Sequence, residues 1–443
     1  MMKRWLTLLA ALAVVAVSGC GQPLATGVNG DPAQSSKPPA SAVADKPEND
    51  GQAAPPEEPP RKPAKYKVED VDRRIVEAHT RFSFDLFREA VSAEDKGKNV
   101  FVSPFSAAIA LSMTMNGAGG ETLEAMRKAL RLDSLSVDEA NRAHEVLADV
   151  LTHPEEGLIL SIANSLWPDE GISFNESFLA ANEEYYSAET SPIDLQSEAA
   201  PADINAWVNE ATRGAIPELL DKPLPEDAIL LLMNAVYFNG NWVQPFPEER
   251  TTTRPFTAAD GSTADVSMMF SNDTLPYLEE DGVRGVRIPY LGGSSMTVLL
   301  PEDTADLRAF VERLTPEQWS AWKSDFQQAS GTIGLPKFKM EYQVELNPML
   351  SSLGMGAAFD PGSAEFSGMT DLPENVFLSQ VIQKTFVEVG ERGTVAAAVT
   401  GVMAGVTSAP AETFELEVNR PFIFVIEDHR TGSILFVGAV ERL

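Results

Sequence analysis

The sequence predicts an α+β fold: helical periodicity dominates from Val68 to Ala211, short β-branched runs dominate from Met296 to the C-terminus, and no repeat or second linker separates the two. With 443 residues, 44% hydrophobic and 22% charged, there is apolar material for one large domain or two ordinary ones. The first helix is read from Ile75, Ala78, Phe82, Leu86 and Ala90, which recur on one face. A second starts at Ser103-Pro104; its residues Ala107 to Met115 are apolar nearly all round, which predicts a helix buried on every side. Further helices fit Glu121 to Leu130, Ser136 to Leu151 and Ala202 to Ala211. The strands follow as Met296 to Leu300 (stopped by Pro301), Thr332 to Phe338, Val381 to Val389, Phe422 to Ile426 and Ile434 to Val437. A polar turn with Gly432 joins the last two.

Ahead of this body lies an address. Lys3 and Arg4 precede an apolar run from Trp5 to Val17, then Ser18, Gly19 and Cys20. About 13 apolar residues are too few to span a hydrocarbon core of about 30 Å, so residues 1–19 read as a cleaved signal peptide. Val17-Ser18-Gly19-Cys20 resembles the bacterial lipobox, which implies acylation of Cys20 and a lipid-anchored, extracytoplasmic protein; the blander reading is ordinary secretion with a chance cysteine. From Cys20 to Lys67 the chain is rich in Pro, Ala and charge, with Pro-Pro at 38, 55 and 59, and reads as an unfolded tether. The folded domain is expected over residues 68–443.

Composition and motif tests exclude several functions. There are 65 acidic against 34 basic residues, a formal net charge of -31, so nucleic acid and heparin are not expected partners. One cysteine allows no intramolecular disulfide. His79, His144, His153 and His429 show no metal-ligand spacing, and their polar, charged sequence neighbours predict solvated side chains rather than catalytic ones. No G-x-S-x-G nucleophile elbow occurs. Gly117-Ala118-Gly119-Gly120 before a helix lacks the Lys-Ser/Thr of a phosphate loop and is followed by Glu121 and Glu124, so it reads as a helix-to-helix turn. No metal, no cofactor and no enzymatic activity are expected.

The unusual segment runs from Gly393 to Pro410, without a charge and with no side chain larger than Met403. It is too rich in Gly and Thr for a membrane span and too β-branched for a stable helix. As a strand, Thr394 to Thr407 would extend roughly 46 Å, far beyond the usual five or six residues. Thr394, Ala396, Ala398, Thr400, Val402, Ala404 and Val406 share one face, all uncharged and small or β-branched. That face suits a segment that must be acceptable both as a solvated loop and, later, as a central strand.

Here the residues reach a family. Glu391-Arg392-Gly393-Thr394-Val395-Ala396-Ala397-Ala398 resembles the serpin hinge, and Asn419-Arg420-Pro421-Phe422-Ile423-Phe424 with Phe436-Val437-Gly438 resembles the signature after the serpin reactive loop. Asn99 to Ser106, Asn234 to Phe238 with Trp242, Leu335 to Phe338 and Phe366 to Met369 fall in serpin order, so the likeness spans Val68 to Leu443.

The resemblance implies an inhibitor of serine proteases that carries an exposed loop outside a five-stranded sheet and releases strain when cleavage lets the loop insert. Counted from Thr394, the scissile bond falls at Thr407-Ser408, with Val406 or Met403 as alternatives if the count slips. A small β-branched residue there suits elastase-like or subtilisin-like proteases and lacks the basic group a trypsin-like pocket wants. The hinge comprises Glu391, Gly393, Thr394, Ala396, Ala397 and Ala398. Ser103, Ser106, Asn234 and Gln383 are expected near the sheet opening, Gln383 standing where many members carry histidine and Val395 where many carry Glu. A monomer is expected. The rival readings are a non-inhibitory serpin, an enzyme, and a lipid-tethered binding protein whose sheet never opens.

Overall fold

The computed structural model describes residues 63–443 apart from 155, 221–223, 225–227, 281, 303–306, 373–375 and 395–412. These all fall in the unit Glu57–Leu443. The expected signal peptide, Cys20 and residues up to 62 lie outside the described residues, as do Val395, Ala396, Ala397, Ala398, Met403, Val406, Thr407 and Ser408.

The helices are α1 (Arg73–Ala93), α2 (Pro104–Met115), α3 (Gly120–Ala129), α4 (Val137–Thr152), α5 (Glu176–Tyr186), α6 (Ala200–Ala211), α7 (Leu307–Arg313), α8 (Pro316–Asp325) and α9 (Asn347–Leu350). The strands are β1 (Val100–Val102), β2 (Leu158–Pro168), β3 (Glu189–Thr190), β4 (Leu230–Asn241), β5 (Thr252–Thr257), β6 (Thr263–Glu280), β7 (Val283–Pro289) and β8 (Ser294–Pro301). After these come β9 (Gln327–Pro336), β10 (Phe338–Glu345), β11 (Ile382–Gly390), β12 (Gly393–Thr394), β13 (Thr413–Glu417), β14 (Phe422–Asp428) and β15 (Ser433–Val440).

Two sheets organise the chain. One runs β1-β15-β14-β8-β7-β6-β9-β13 with β5 on β6; the other runs β10-β11-β12-β4-β2-β3. Helix α2 packs on β15 of the first and β4 of the second, which explains its all-round apolarity: Phe105, Ile109, Leu111, Met113 and Met115 are each at most 1% exposed. Its start is fixed locally, since Ser103 Oγ accepts from Ser106 N at 3.3 Å as an N-cap and Pro104 pre-sets the first turn. The glycine run 117–120 is the turn between α2 and α3.

Four differences from the sequence reading have physical causes. Thr332 to Phe338 is not one strand: Lys337 N bonds Ser267 O, and the chain crosses there from β9 in one sheet to β10 in the other. Order begins ahead of Val68, because the Tyr66 hydroxyl donates to Glu145 at 3.0 Å while Arg142 lies over its ring. His79 and His144 are not solvated but 2% and 0% exposed, their polar sequence neighbours lying on the outer faces of α1 and α4. Gly393 and Thr394, expected to begin an exposed loop, are buried in the second sheet.

Candidate functional site

The site grows from β11. Its last pairs place Val389 opposite Thr394 and Gly390 opposite Gly393, and on their other side Thr394 meets Gly240 and Gly393 meets Asn241. The two residues of β12 are therefore a wedge between β11 and β4. Gly393 has φ +151, and a Cβ there would sit 2.1 Å from the Gly240 carbonyl oxygen, so only glycine passes this point. Beyond the wedge no ladder joins β4 to β11 among the described residues, and a cavity of about 570 Å³ opens between them, lined by Leu232, Val236, Phe377 and Ile382 among others.

The top of the gap is built around Trp242. Its Nε1 donates to Gly390 O at 3.0 Å, its backbone N donates to Arg392 O at 2.9 Å, and its ring stacks on Tyr290 at 4.2 Å. The Tyr290 hydroxyl lies 2.5 Å from Thr394 Oγ1. Burial pushes the Tyr290 phenol far up, so it stays protonated and serves as a latch on the inserted threonine. Phe246 N donates to Glu391 O at 2.8 Å, and the Glu391 carboxylate meets Lys337 at 2.9 Å and the Thr251 hydroxyl at 3.0 Å. Desolvation pushes the Glu391 carboxyl up, but Lys337 and Thr251 outweigh it and hold it below its ordinary value.

At the middle of the gap the structure brings Ser103, Ser106, Asn234 and Gln383 together. Gln383 Oε1 accepts from Ser103 N at 2.9 Å while its Nε2 donates to Ser103 O at 2.8 Å, a two-handed grip on the backbone of one residue. Thr385 Oγ1 donates to Phe101 O at 2.6 Å, so β11 is fastened to the β1–α2 junction at two successive inward positions. On the other side Ser106 Oγ donates to Asn234 Oδ1, Asn234 Nδ2 donates to Asn164 Oδ1 at 2.6 Å, and Asn164 Nδ2 donates to Tyr186 O at 2.7 Å. The single link from α2 to β4 is thus weaker than the triple link from α2 and β1 to β11.

The two ends of the uncharged segment belong to different sheets. Thr394 lies between β11 and β4, whereas Thr413 starts β13, which pairs in parallel with β9.

The sequence profile of the serpin (serine protease inhibitor) family matches residues 77–443. The chain belongs to the serpin family. Leukocyte elastase inhibitor of Equus caballus is 36% identical over 374 residues, 82% of this chain and 97% of that relative. Among solved structures the native state of the thermophilic serpin tengpin matches with TM-score 0.77 and 33% identity, covering 86% of this chain and 97% of that one. The latent state of tengpin matches with TM-score 0.73 and 33% identity over 84% of this chain.

This serpin is a serine protease inhibitor and not an enzyme. It does contain a Ser–His–Glu array, with Ser295 Oγ 2.6 Å from His429 Nε2 and His429 Nδ1 3.1 Å from Glu427 Oε1. Ser295 is 0% exposed on β8, so no substrate carbonyl reaches its oxygen and the array is structural. The features sequence reasoning missed are Tyr290 and the Asn164–Tyr186 link.

Proposed function

We propose that this serpin acts as a suicide substrate, offering Thr407-Ser408 to a serine protease and trapping the enzyme by inserting the segment from Thr394 onward between β11 and β4. The protease serine attacks the Thr407 carbonyl, forming an ester as the peptide bond breaks and Ser408 leaves as the new amine. Insertion then drags the acylated protease away before water can resolve the ester. The observation that carries this reading is the β12 wedge: the first two residues already occupy the slot that the rest would fill.

The register supports it further. Continuing the pairs of Thr394 with Val389 and Gly240 would place Ala396 between Val387 and Phe238, Ala398 between Thr385 and Val236, and Thr400 between Gln383 and Asn234. Ala396 would meet two apolar neighbours, Ala398 would meet Val236 and the already bonded Thr385, and the Thr400 hydroxyl would meet the amides. The Thr407 side chain suits elastase-like or subtilisin-like pockets. The likeness to a relative named for inhibition of leukocyte elastase points the same way. Acylation of Cys20 would hold this monomeric inhibitor outside the cytoplasm on a tether.

The test is to mix the chain with elastase-like, subtilisin-like and trypsin-like proteases, look for a complex that survives hot SDS, and sequence the released C-terminal peptide. A stable complex and a peptide starting at Ser408 support the reading. Clean cleavage with every enzyme and no complex overturns it in favour of a non-inhibitory serpin.

A further inference from the structure

His79 on α1 and His144 on α4 face each other inside the protein with their Nε2 atoms 2.9 Å apart. The hydrogen bonds define one arrangement of protons. The Tyr186 hydroxyl donates to Asn141 Oδ1 at 2.8 Å, which leaves its oxygen to accept from His144 Nδ1 at 3.3 Å. His144 Nε2 is then bare and accepts from His79 Nε2–H. The remaining ring atom, His79 Nδ1, is buried without a hydrogen-bond partner. With both rings neutral the one bare nitrogen is His79 Nδ1, and a proton added there has no acceptor to face; the Ala140 carbonyl favours a charged His144 but burial outweighs it.

The surroundings supply no compensating charge. Helix α2 presents Phe105, edge-on to His79 at 5.6 Å. Helix α5 presents the neutral Tyr186, α4 presents Asn141, and α1 presents Ser83, whose hydroxyl donates to His79 O. Carboxylates on these helices are engaged by cations, Glu145 by Lys65 and Arg142 and the buried Asp85 by Arg88 and Arg131.

Tyr186 connects this pair to the gap. Its hydroxyl meets His144, its carbonyl accepts from Asn164 on β2, and Asn164 accepts from Asn234 on β4. β2 and β4 are the strands that must move away from β11 for insertion. The contact of Tyr186 with His144 therefore links α4 to α5 and, through Asn164 and Asn234, to β2 and β4.

We propose that the His79–His144 pair is an acid-sensitive lock on sheet opening: a proton taken up at the bare His79 Nδ1 puts an unpartnered charge inside the closed packing around Tyr186, which favours the arrangement in which β2 and β4 part from β11 and water reaches the rings. This rests on the insertion reading above. Burial holds His79 down to about 4 and His144 well below its ordinary value, with His79 adding to the effect on His144. Because the closed-state values are depressed, the lock is fully engaged above the free-ring value of about 6.5 and is lost as pH falls from there toward 4. For His79 alone, free and closed values of about 6.5 and 4 favour the open arrangement about 25-fold at pH 5 relative to pH 7.4.

The experiment adds an excess of an acetylated synthetic peptide spanning Thr394 to Val406 to the full chain and follows its incorporation by native gel at pH 7.4 and pH 5. Incorporation at least tenfold faster at pH 5 is expected, with most of that acceleration absent in His79→Gln/His144→Gln. Equal rates at both pH values, or acceleration retained in the double variant, overturn the lock. No incorporation at either pH instead overturns the insertion reading. Should the double variant fail to fold, histidine C2-hydrogen exchange on the unaltered protein decides: midpoints near 6.5 for both His79 and His144 overturn the lock, and depressed midpoints support it.

Discussion

Replacing Thr394 by arginine converts the proposed inhibitor into a substrate, and the structure sets the scale. Thr394 is 2% exposed, with Val389 on one side, Gly240 on the other and the Tyr290 hydroxyl 2.5 Å from its own. Arginine removes the hydroxyl partner of Tyr290, which costs about 1–3 kcal/mol for a buried polar group left alone. Its guanidinium must also enter a slot walled by Tyr290, with Trp242 stacked on one face of that ring and Phe238 edge-on at 5.1 Å. Burying an unpaired charge there adds several kcal/mol. A total of roughly 3 kcal/mol or more slows the first step of insertion at least about 100-fold, since each 1.4 kcal/mol is tenfold in rate. If insertion in the unaltered protein outruns deacylation about 100-fold, the two rates become equal and the stoichiometry of inhibition climbs from about 1 to 2 or beyond. The assay is titration of an elastase-like protease with parallel SDS gels, and Thr394→Ser, which keeps the hydroxyl, is the control expected to behave normally. A Thr394→Arg protein that still trapped enzyme at the original stoichiometry would falsify the insertion mechanism.

Other perturbations separate the latch from the clamp. Tyr290→Phe leaves the Thr394 hydroxyl buried without its partner, about 1–3 kcal/mol against the wedge, so limited proteolysis at the hinge is expected to accelerate five-fold or more; unchanged cleavage refutes the latch. Gln383→Leu strands Ser103 N and leaves Ser103 O only its bond from Ala107 N, so a lower thermal midpoint and faster uptake of the Thr394 to Val406 peptide are expected, and unchanged uptake refutes the clamp. The Glu391 carboxyl is held below its ordinary 4.5, so its stabilisation is present above that value and is lost as pH falls through the folded value. Glu391→Gln is expected to flatten the acid limb of the unfolding curve, and an unaltered limb argues against that ion pair. Cys20→Ser is expected to release the protein from the envelope fraction into the medium, and retention refutes lipid anchoring.

The parts of this fold legible in the sequence are those whose burial is one-sided. Helices α1 and α4 showed because half their surface is solvated, so apolar and polar residues alternate at helical spacing. Strand β4 did not, because Leu230 to Met233 is a run of leucines and methionine that periodicity alone assigns to neither state. Strand β6 hid for the opposite reason, since its start is mostly exposed and carries Thr263, Asp265 and Ser267 ahead of the buried Met268 and Met269. At the site, Gly393 and the small residues after it were readable from composition. The Tyr290 latch was not, since a tyrosine between Pro289 and Leu291 carries no sign of a threonine that lies 104 residues away. Nor did the sequence separate buried from solvated histidines: His79 and His144 are flanked by charges that point outward while the rings point inward.

The arrangement also explains where the free energy for trapping is stored. Beyond the latch at Tyr290 no described residue pairs with the facing edges of β11 and β4, and at the clamp of Gln383 and Asn234 a cavity of about 570 Å³ opens toward Leu230 and Ile382. Filling that slot completes ladder hydrogen bonds at a net gain of about 0.5–1.5 kcal/mol each, so about a dozen residues release on the order of 10 kcal/mol. The two-residue wedge shows that the register of that future strand is already set. A register set one residue off would turn Val395 and Val399 inward and bring no hydroxyl to the amides of Gln383 and Asn234. Gly393 determines this, because its close approach to Gly240 admits no side chain and Thr394 is thereby the first residue to point into the core. The wedge thus acts as a nucleus: loop closure and register selection are settled before any protease arrives. What remains for cleavage to remove is the anchor at β13, which holds the far end of the segment in the other sheet.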